Sequence, residues 1–541
     1  TSFTNFFVNA GAGPEKIQLD TRVVSLTQSQ KENRQRLLNQ YFVPEDMLPN
    51  AENGGNPPTA TAISLRGWQE EIGEVPELFH EARLRVPTPG EFGGSELRTG
   101  FKWEQMQYQK PFLKELALLI SADAAAKGAK ELQWSVSYPS AFAPNDVARY
   151  GRVWKDLCSD LNKLTGLTHS VKSAAGNEGL QTEAVAFASY FGNFQNKQMV
   201  HTSCLDVGGG TTDISIWQEN ELIHQVSVPF AGRDISSQLL RRKPSFLKSL
   251  FPPSLTADIS DDEARARQDR NFVSRLDNIM RYGSEELLSG RLDMLVNQES
   301  SLQVPLQQYL SLISVSFGGL YYYLGQIQKV LRQEGKLTRN TPTEVYLGGN
   351  GGRLLNWIDA SSSFQRGGEL DQLMAMMQVK SSGCDPAKAP TTMSDAYKDE
   401  TSCGLISTGV NLKGDFDPRD DVMVSGAKLV INDLSFEAGE RVHLPHTMDT
   451  VQRYELPDLE AIRTFVENYD DSVAELRIKS LIPVKDLCIL DTLWSDVETE
   501  VRSLCLAKVG KEASDLEPEP GFILGLRALT NTLGRVWSER F

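Results

Sequence analysis

The sequence predicts an α/β protein of more than one domain, on three observations. Cys204 to Ile216 reads as a strand, a glycine turn at Gly208-Gly209-Gly210 and a second strand. Glu344 to Leu355 reads as a strand that runs through glycines into a helix, the punctuation of a βα unit. At 541 residues the chain is too long for one hydrophobic core, so two to four domains are expected.

Composition narrows the class. Hydrophobic content of 40% with 23% charged residues fits a folded globular chain. A formal net charge of −16 disfavours a general nucleic-acid or anionic-membrane surface and still permits a local basic cleft. The six cysteines lie apart with no C-x-x-C pair, which points away from a zinc site or disulfide framework and towards a reducing, cytoplasmic compartment. The apolar stretch Tyr309 to Leu331 is interrupted by serines and glycines and by Gln326, Gln328 and Lys329, so a buried helix is expected rather than a membrane span. No signal peptide is visible, and Thr1 is not an initiator methionine, so a fragment or processed chain is expected.

In chain order, Lys16 to Thr27 alternates as a strand, Asn50 to Thr59 is a Gly/Pro/Asn-rich loop, and Ala60 to Leu65 is a strand. Phe112, Leu116, Leu119 and Ile120 recur at helical spacing within Pro111 to Lys127. Leu132 to Pro139 reads as a strand stopped by proline, and the helix after it, from Val147 to Leu164, has Asn145 as its expected N-cap. Asn177 to Tyr190 reads as a glutamate-led helix of small residues, and Leu222 to Val228 as a strand before the glycine turn at Ala231-Gly232-Arg233-Asp234-Ile235. Pro252 to Arg270 is charged and reads as a solvated loop and helix, and Asp359 to Ser394, rich in Ser, Gly and Pro, as an inserted loop. In the tail, Val422 to Ile431 and Arg441 to Leu444 suggest strands around an Asn432-Asp433 turn, and Leu459 to Val466 and Phe522 to Trp537 suggest helices. His443 and His446 lie three apart with no nearby third ligand, so they read as ordinary histidines and not as metal ligands.

The chemistry concentrates at the glycine turn. Three consecutive glycines, Gly208, Gly209 and Gly210, remove every Cβ, so backbone N–H groups can approach phosphoryl oxygens closely. Thr211 and Thr212 add hydroxyl donors, and Asp206 and Asp213 are placed to hold a hydrated Mg²⁺ or orient a water. The plain alternative is a glycine hairpin capped by aspartates. The motif predicts a nucleoside triphosphate.

These residues resemble the phosphate-2 motif of the superfamily of actin, sugar kinases and DnaK-type heat-shock chaperones, nearest to the chaperones and bacterial actin-like proteins. The resemblance implies a two-lobed actin-like (ribonuclease-H-like) ATPase fold with a C-terminal α+β accessory region. The expected division is lobe I over 1–199, lobe II over 200–413 and an accessory domain over 414–541. Tyr138-Pro139-Ser140-Ala141-Phe142 resembles the superfamily's V-P-A-x-F strand end. Asn177 to Tyr190 resembles its first connecting segment, which puts Glu183 where the chaperones carry a glutamate near the attacking water, with Glu178 as a competing register. Gly348, Gly349, Asn350 and Arg353 lie in a counterpart of the adenosine motif, and Lys398 to Leu405 resembles the second connecting helix. Ser289 matches a serine that contacts adenine in the chaperones, whereas Tyr282 and Glu285 fall on that helix's acidic and lysine positions without matching them.

Two departures accompany the likeness. Nothing before residue 132 resembles the first phosphate motif: Asp20-Thr21 lacks a following glycine, and Gly11-Ala12-Gly13 lacks a preceding aspartate. Either that hairpin lies upstream of Thr1 or the chain is a degenerate nucleotide binder. From Gly414 on, the chain does not resemble a chaperone substrate domain. The resemblance therefore implies an ATP- and Mg²⁺-binding, slowly hydrolysing switch, chaperone-like or regulatory, with a protein client or partner on its C-terminal region and neither nucleic acid nor membrane. The alternatives are an actin-like filament or scaffold protein and a pseudo-ATPase that binds without turnover. The oligomeric state stays open, and sugar kinases match least.

Overall fold

The computed structural model describes residues 3–4, 6–17, 59–60, 62–64, 83–84, 97–99, 109–139, 142, 144–172, 180–251, 253–257, single positions between 259 and 280, 300–359, 363–407, 412–413, 423–445, 448, 450–486, 492–512 and 519–539. They form two compact units, Thr1–Asn196 with Lys398–Val410, and Lys197–Tyr397 with Asn411–Phe541.

The second unit is built on a five-stranded sheet of β1 (His201–Val207), β2 (Thr212–Gln218), β3 (Glu221–Val228), β4 (Glu344–Gly348) and β5 (Thr391–Met393), in the order β3-β2-β1-β4-β5. β2 pairs antiparallel with both β1 and β3, whereas β4 runs parallel to β1 and to β5. Only β2 opposes the rest. Leu205, Val207, Ile214, Ile216, Val228, Val345 and Leu347 are fully buried on one face and Cys204, Ser215 and Tyr346 are buried on the other, as expected of central strands covered on both faces. The β2–β3 turn passes through Glu219 and Asn220, both at positive φ (51° and 65°), which matches the right-handed twist of a tight hairpin.

Four helices of this unit surround the sheet: α1 (Gly232–Leu240), α2 (Ser300–Gln333), α3 (Glu369–Ser382) and α4 (Gly521–Glu539). α2 is the apolar stretch singled out in the sequence, and Leu312, Ile313, Phe317, Leu320, Tyr321, Tyr323 and Leu324 lose all solvent contact there. A helix apolar all round belongs inside a core. No helix among the described residues is long and apolar enough to cross a membrane. Glycine costs a helix about 1 kcal/mol relative to alanine, yet α2 keeps Gly319 and Gly325 where its neighbours come closest. A Cβ at Gly319 would strike Leu526 of α4, and one at Gly325 would overlap the Gln378 carbonyl and Ser381 hydroxyl of α3.

Residues after 423 share that core. Leu429 and Ile431 of a small sheet, Phe465 and Tyr469 of the helix Glu460–Leu476, and Phe522 and Trp537 of α4 belong to the same apolar cluster as β1, β2 and α2. The Tyr323 hydroxyl donates to the Val424 carbonyl at 2.8 Å, and Arg441 grips Glu334 at the end of α2 through two contacts of 2.7 Å.

Several expectations change. Asp359 to Ser394 is not an inserted loop: it supplies α3 and β5, because Leu370, Leu373, Met374 and Met377 recur at helical spacing and are buried. Leu429–Ile431 and Leu434–Phe436 do flank an Asn432-Asp433 turn, with Asn432 at φ 53°, but Arg441 makes only an isolated bridge to Val424 and starts no strand. Asn145 does not cap its helix, which already begins at Pro144, since proline's fixed φ and missing N–H suit the first helical position.

The first unit holds the hairpin Phe7–Asn9 with Pro14–Lys16, and the parallel pairs Glu131–Trp134 with Thr168–Val171 and Val136–Tyr138 with Leu180–Thr182. The helix Pro144–Thr165 packs on the parallel pairs with Trp154, Leu157 and Leu161 at spacings of three and four, all buried. The helix Glu400–Ile406 packs against the helix Glu183–Phe194 so closely that a Cβ on Gly404 would overlap the Ala186 carbonyl. Most of Lys16 to Thr27, most of Asn50 to Thr59, and Ser289, Tyr282, Glu285, Glu178 and His446 lie outside the described residues.

Candidate functional site

The glycine turn sits at the end of β1 and is held from behind by two other segments. Within the turn, Gly208 N–H donates to the Thr211 carbonyl at 2.9 Å. The first two residues of α1 then reach it, with Gly232 N–H on the Gly208 carbonyl at 3.1 Å and Arg233 N–H on the Gly209 carbonyl at 3.0 Å. From the other side Gly351 N–H meets the Val207 carbonyl at 2.7 Å. The carbonyls of Val207, Gly208 and Gly209 are therefore committed to protein donors. A loop needs this if its own N–H groups are to meet an anion, and the positive end of the α1 dipole adds to the same field.

The turn after β4 fits against this loop because it has no side chains there. Gly348 is in parallel register with Asp206, and Gly349 adopts φ 75°. A Cβ on Gly349 would overlap Asp206 Oδ1, and one on Gly351 would come 2.5 Å from the Gly208 carbonyl oxygen. The sequence features at 204–216 and 344–355 are thus one site.

Asp206 and Asp213 face each other in the β1–β2 ladder. Directly opposed residues of an antiparallel pair project from the same face with Cβ atoms roughly 5 Å apart. Two carboxylates so placed repel, and a hydrated divalent cation is a chemical fit for them. Among the described residues no group of three or more His, Cys, Asp and Glu side chains forms a metal cage. The arrangement suits an ion held mainly by water and phosphate oxygens.

The other candidates divide. Thr211 and Asn350 are half-buried at the two turns. Thr212 is fully buried and donates its hydroxyl to the Phe230 carbonyl at 2.6 Å, so it fastens the turn to the sheet rather than offering a phosphate donor. The Arg353 guanidinium lies 5.0 Å from the centre of the Tyr397 ring, whose hydroxyl accepts from Asn356 at 3.3 Å. Glu183 belongs to the first unit and opens its helix, where Thr182 caps by accepting Val185 N–H at 3.4 Å. An acidic side chain in the first turn also suits the helix dipole. Burial pushes the nearby Tyr150 hydroxyl up to about 12, with the Glu183 charge adding to the shift.

Sequence reasoning noted Gly232 and Arg233 only as a turn. Their part in holding the loop needed the fold, although an aspartate three residues into a helix that opens on glycine is a readable capping signal. That aspartate, Asp234, accepts Ala231 N–H at 3.3 Å. Burial pushes its carboxyl up to about 6 against the opposing pull of Arg527 and of the Ala231 N–H, with Glu519 adding to the rise.

Comparison with solved structures returns MreB5 of Spiroplasma citri bound to ADP, at 12% identity and a TM-score of 0.30, covering 64% of this chain and 86% of that one. It also returns the ethanolamine utilization protein EutJ from Carboxydothermus hydrogenoformans, at 12% identity and a TM-score of 0.23, covering 50% of this chain and 76% of that one. No protein-family model matches the sequence, and no curated protein does. The sheet order β3-β2-β1-β4-β5, with β2 alone reversed, gives the second unit a mixed α/β topology.

Proposed function

We propose that the second unit binds an adenine nucleotide with Mg²⁺ and that the protein works as a slowly hydrolysing, chaperone-like or regulatory ATP switch. One observation carries this reading: the carbonyls of Val207, Gly208 and Gly209 are tied back by Gly351, Gly232 and Arg233, which presents a side-chain-free turn beside two opposed carboxylates. In this reading Gly208 to Thr211 receives the phosphates, Asp206 and Asp213 hold the ion through water, and Gly348, Gly349 and Asn350 lie against the adenosine. A bound Mg²⁺ would neutralise phosphate charge. The C-terminal region is assigned the contact with a protein client or partner. Catalysis would rest on positioning and charge stabilisation, as phosphoryl transfer generally does.

The test is calorimetric titration with MgATP and MgADP, paired with phosphate release and with sedimentation in each nucleotide. Binding with slow release and unchanged sedimentation supports the switch. Binding without release makes the protein a pseudo-ATPase, and ATP-dependent sedimentation makes it a filament former. Absence of binding to either nucleotide overturns the reading.

A further inference from the structure

The charged group between α1 and the C-terminal helix does more than neutralise itself. Glu519 is fully buried and is met by Arg527 Nη1 at 2.9 Å from each carboxylate oxygen and by Lys508 Nζ at 3.2 Å. Two cations on one carboxylate satisfy it, and its backbone is pinned separately, since Tyr454 Oη donates to the Glu519 carbonyl at 2.9 Å. Arg527 nevertheless extends to a second carboxylate, with Nε 3.9 Å from Asp234 Oδ1. The other oxygen of Asp234 accepts Ala231 N–H, and the next two N–H groups, of Gly232 and Arg233, are those that hold the glycine turn.

α1 and α4 also touch without intervening side chains. A Cβ at Gly534 of α4 would lie 2.8 Å from Gln238 Cβ and 3.0 Å from the Gln238 carbonyl carbon of α1. A shift of α4 along its axis therefore moves both the α1 backbone and the guanidinium that lies 3.9 Å from the Asp234 carboxylate.

We infer that Arg527 is a positioning residue for the phosphate turn, acting through Asp234 and the Gly232 and Arg233 amides, so that the C-terminal helix sets the affinity of the nucleotide site from outside it. Arg527 is not itself one of the candidate ligand-binding residues. Its effect is to fix the start of α1, which fixes where the Gly208 and Gly209 carbonyls point and hence where the turn's N–H groups are presented. The inference rests on the nucleotide reading given above. It adds an internal route by which a partner that grips the C-terminal region would change nucleotide binding without entering the site.

The experiment uses the full chain and three substitutions, Asp234→Asn, Arg527→Gln and Arg527→Lys, with the Asp234→Asn/Arg527→Gln pair combined. Calorimetry with MgADP should show affinity lowered on the order of tenfold in each neutral variant, the double variant no weaker than the single ones, and partial recovery with lysine. Amide hydrogen exchange without nucleotide should show faster exchange at Gly232 and Arg233, while β1 and β4 stay protected. Should Arg527→Gln fail to fold because Glu519 loses a partner, Asp234→Asn leaves Glu519 its two cations and decides the matter. Folded variants that keep both the affinity and the exchange of these two amides overturn the inference alone. Failure of the unsubstituted protein to bind nucleotide overturns it together with the nucleotide reading.

Discussion

Asp206 and Asp213 are direct partners in the β1–β2 ladder, so the two carboxylates flank the glycine turn from the same face of one hairpin. Asp206→Asn should lower MgATP turnover at least about a hundredfold while nucleotide binding is partly kept, because charge stabilisation is lost and the turn is untouched. Phosphate release measured beside calorimetry separates the two effects. Unchanged turnover would remove this aspartate from the mechanism.

Two glycines on the same surface should behave oppositely. Gly349 combines φ 75° with a Cβ position that overlaps Asp206 Oδ1, so Gly349→Ala should cost about 2 kcal/mol or more in urea unfolding. A Cβ at Gly210 meets no heavy atom within 4 Å, so Gly210→Ala should change stability by less than about 0.5 kcal/mol. If phosphate lies against that turn, Gly210→Ala should still weaken MgADP binding. A variant with both stability and affinity intact would show that the turn does not touch phosphate.

The sequence announced this site more clearly than it announced its frame. The pattern at 204–216 states both strands, the turn and both aspartates, because local rules govern a hairpin. What locks the turn is non-local, and nothing near Gly208 in sequence indicates that Gly232 and Gly351 will donate to its stem. Thr212 looked like a ligand-facing hydroxyl because strand alternation alone does not reveal that the Phe230 carbonyl lies within reach. Asp359 to Ser394 misled through its Ser, Gly and Pro content, which concealed the buried Leu370, Leu373 and Met377. The tail gave legible helices but no sign that Phe522 and Trp537 would complete the core around α2.

The Glu334–Arg441 pair should show in acid. Its hydrogen bonds to Arg441 hold the Glu334 carboxyl below its ordinary 4.5. A lowered carboxyl stabilises the fold above the unfolded value and loses that effect as pH falls through the folded value. Arg441→Gln should therefore cost about 1 kcal/mol near pH 7, after allowance for partial solvent screening, and the gap to the unsubstituted protein should close as the pH falls through the folded-state value of Glu334. Urea midpoints at pH 7, 5 and 3 check this, and a gap constant with pH would assign the loss to packing.

Asp470 is a buried carboxylate that accepts the N–H groups of Val484 and Lys485 at 2.7 and 2.6 Å. Asp470→Ala strands both donors in the interior and should cost about 2–4 kcal/mol. Denaturant unfolding at neutral pH measures it, and a loss under about 1 kcal/mol would mean that water replaces the carboxylate.

The helix Glu400–Ile406 belongs to the unit otherwise made of residues up to Asn196, and it seats Gly404 on Ala186. On the ribosome, that unit must wait for its last piece while the whole of Lys197–Tyr397 is made, roughly 10–40 s at ordinary synthesis speeds. Throughout that interval the helix Glu183–Phe194 lacks the neighbour that packs on it at Ala186. The first unit thus stays incomplete until Glu400–Ile406 has been made, and the protein's yield in cells should depend on translation speed as well as on final stability.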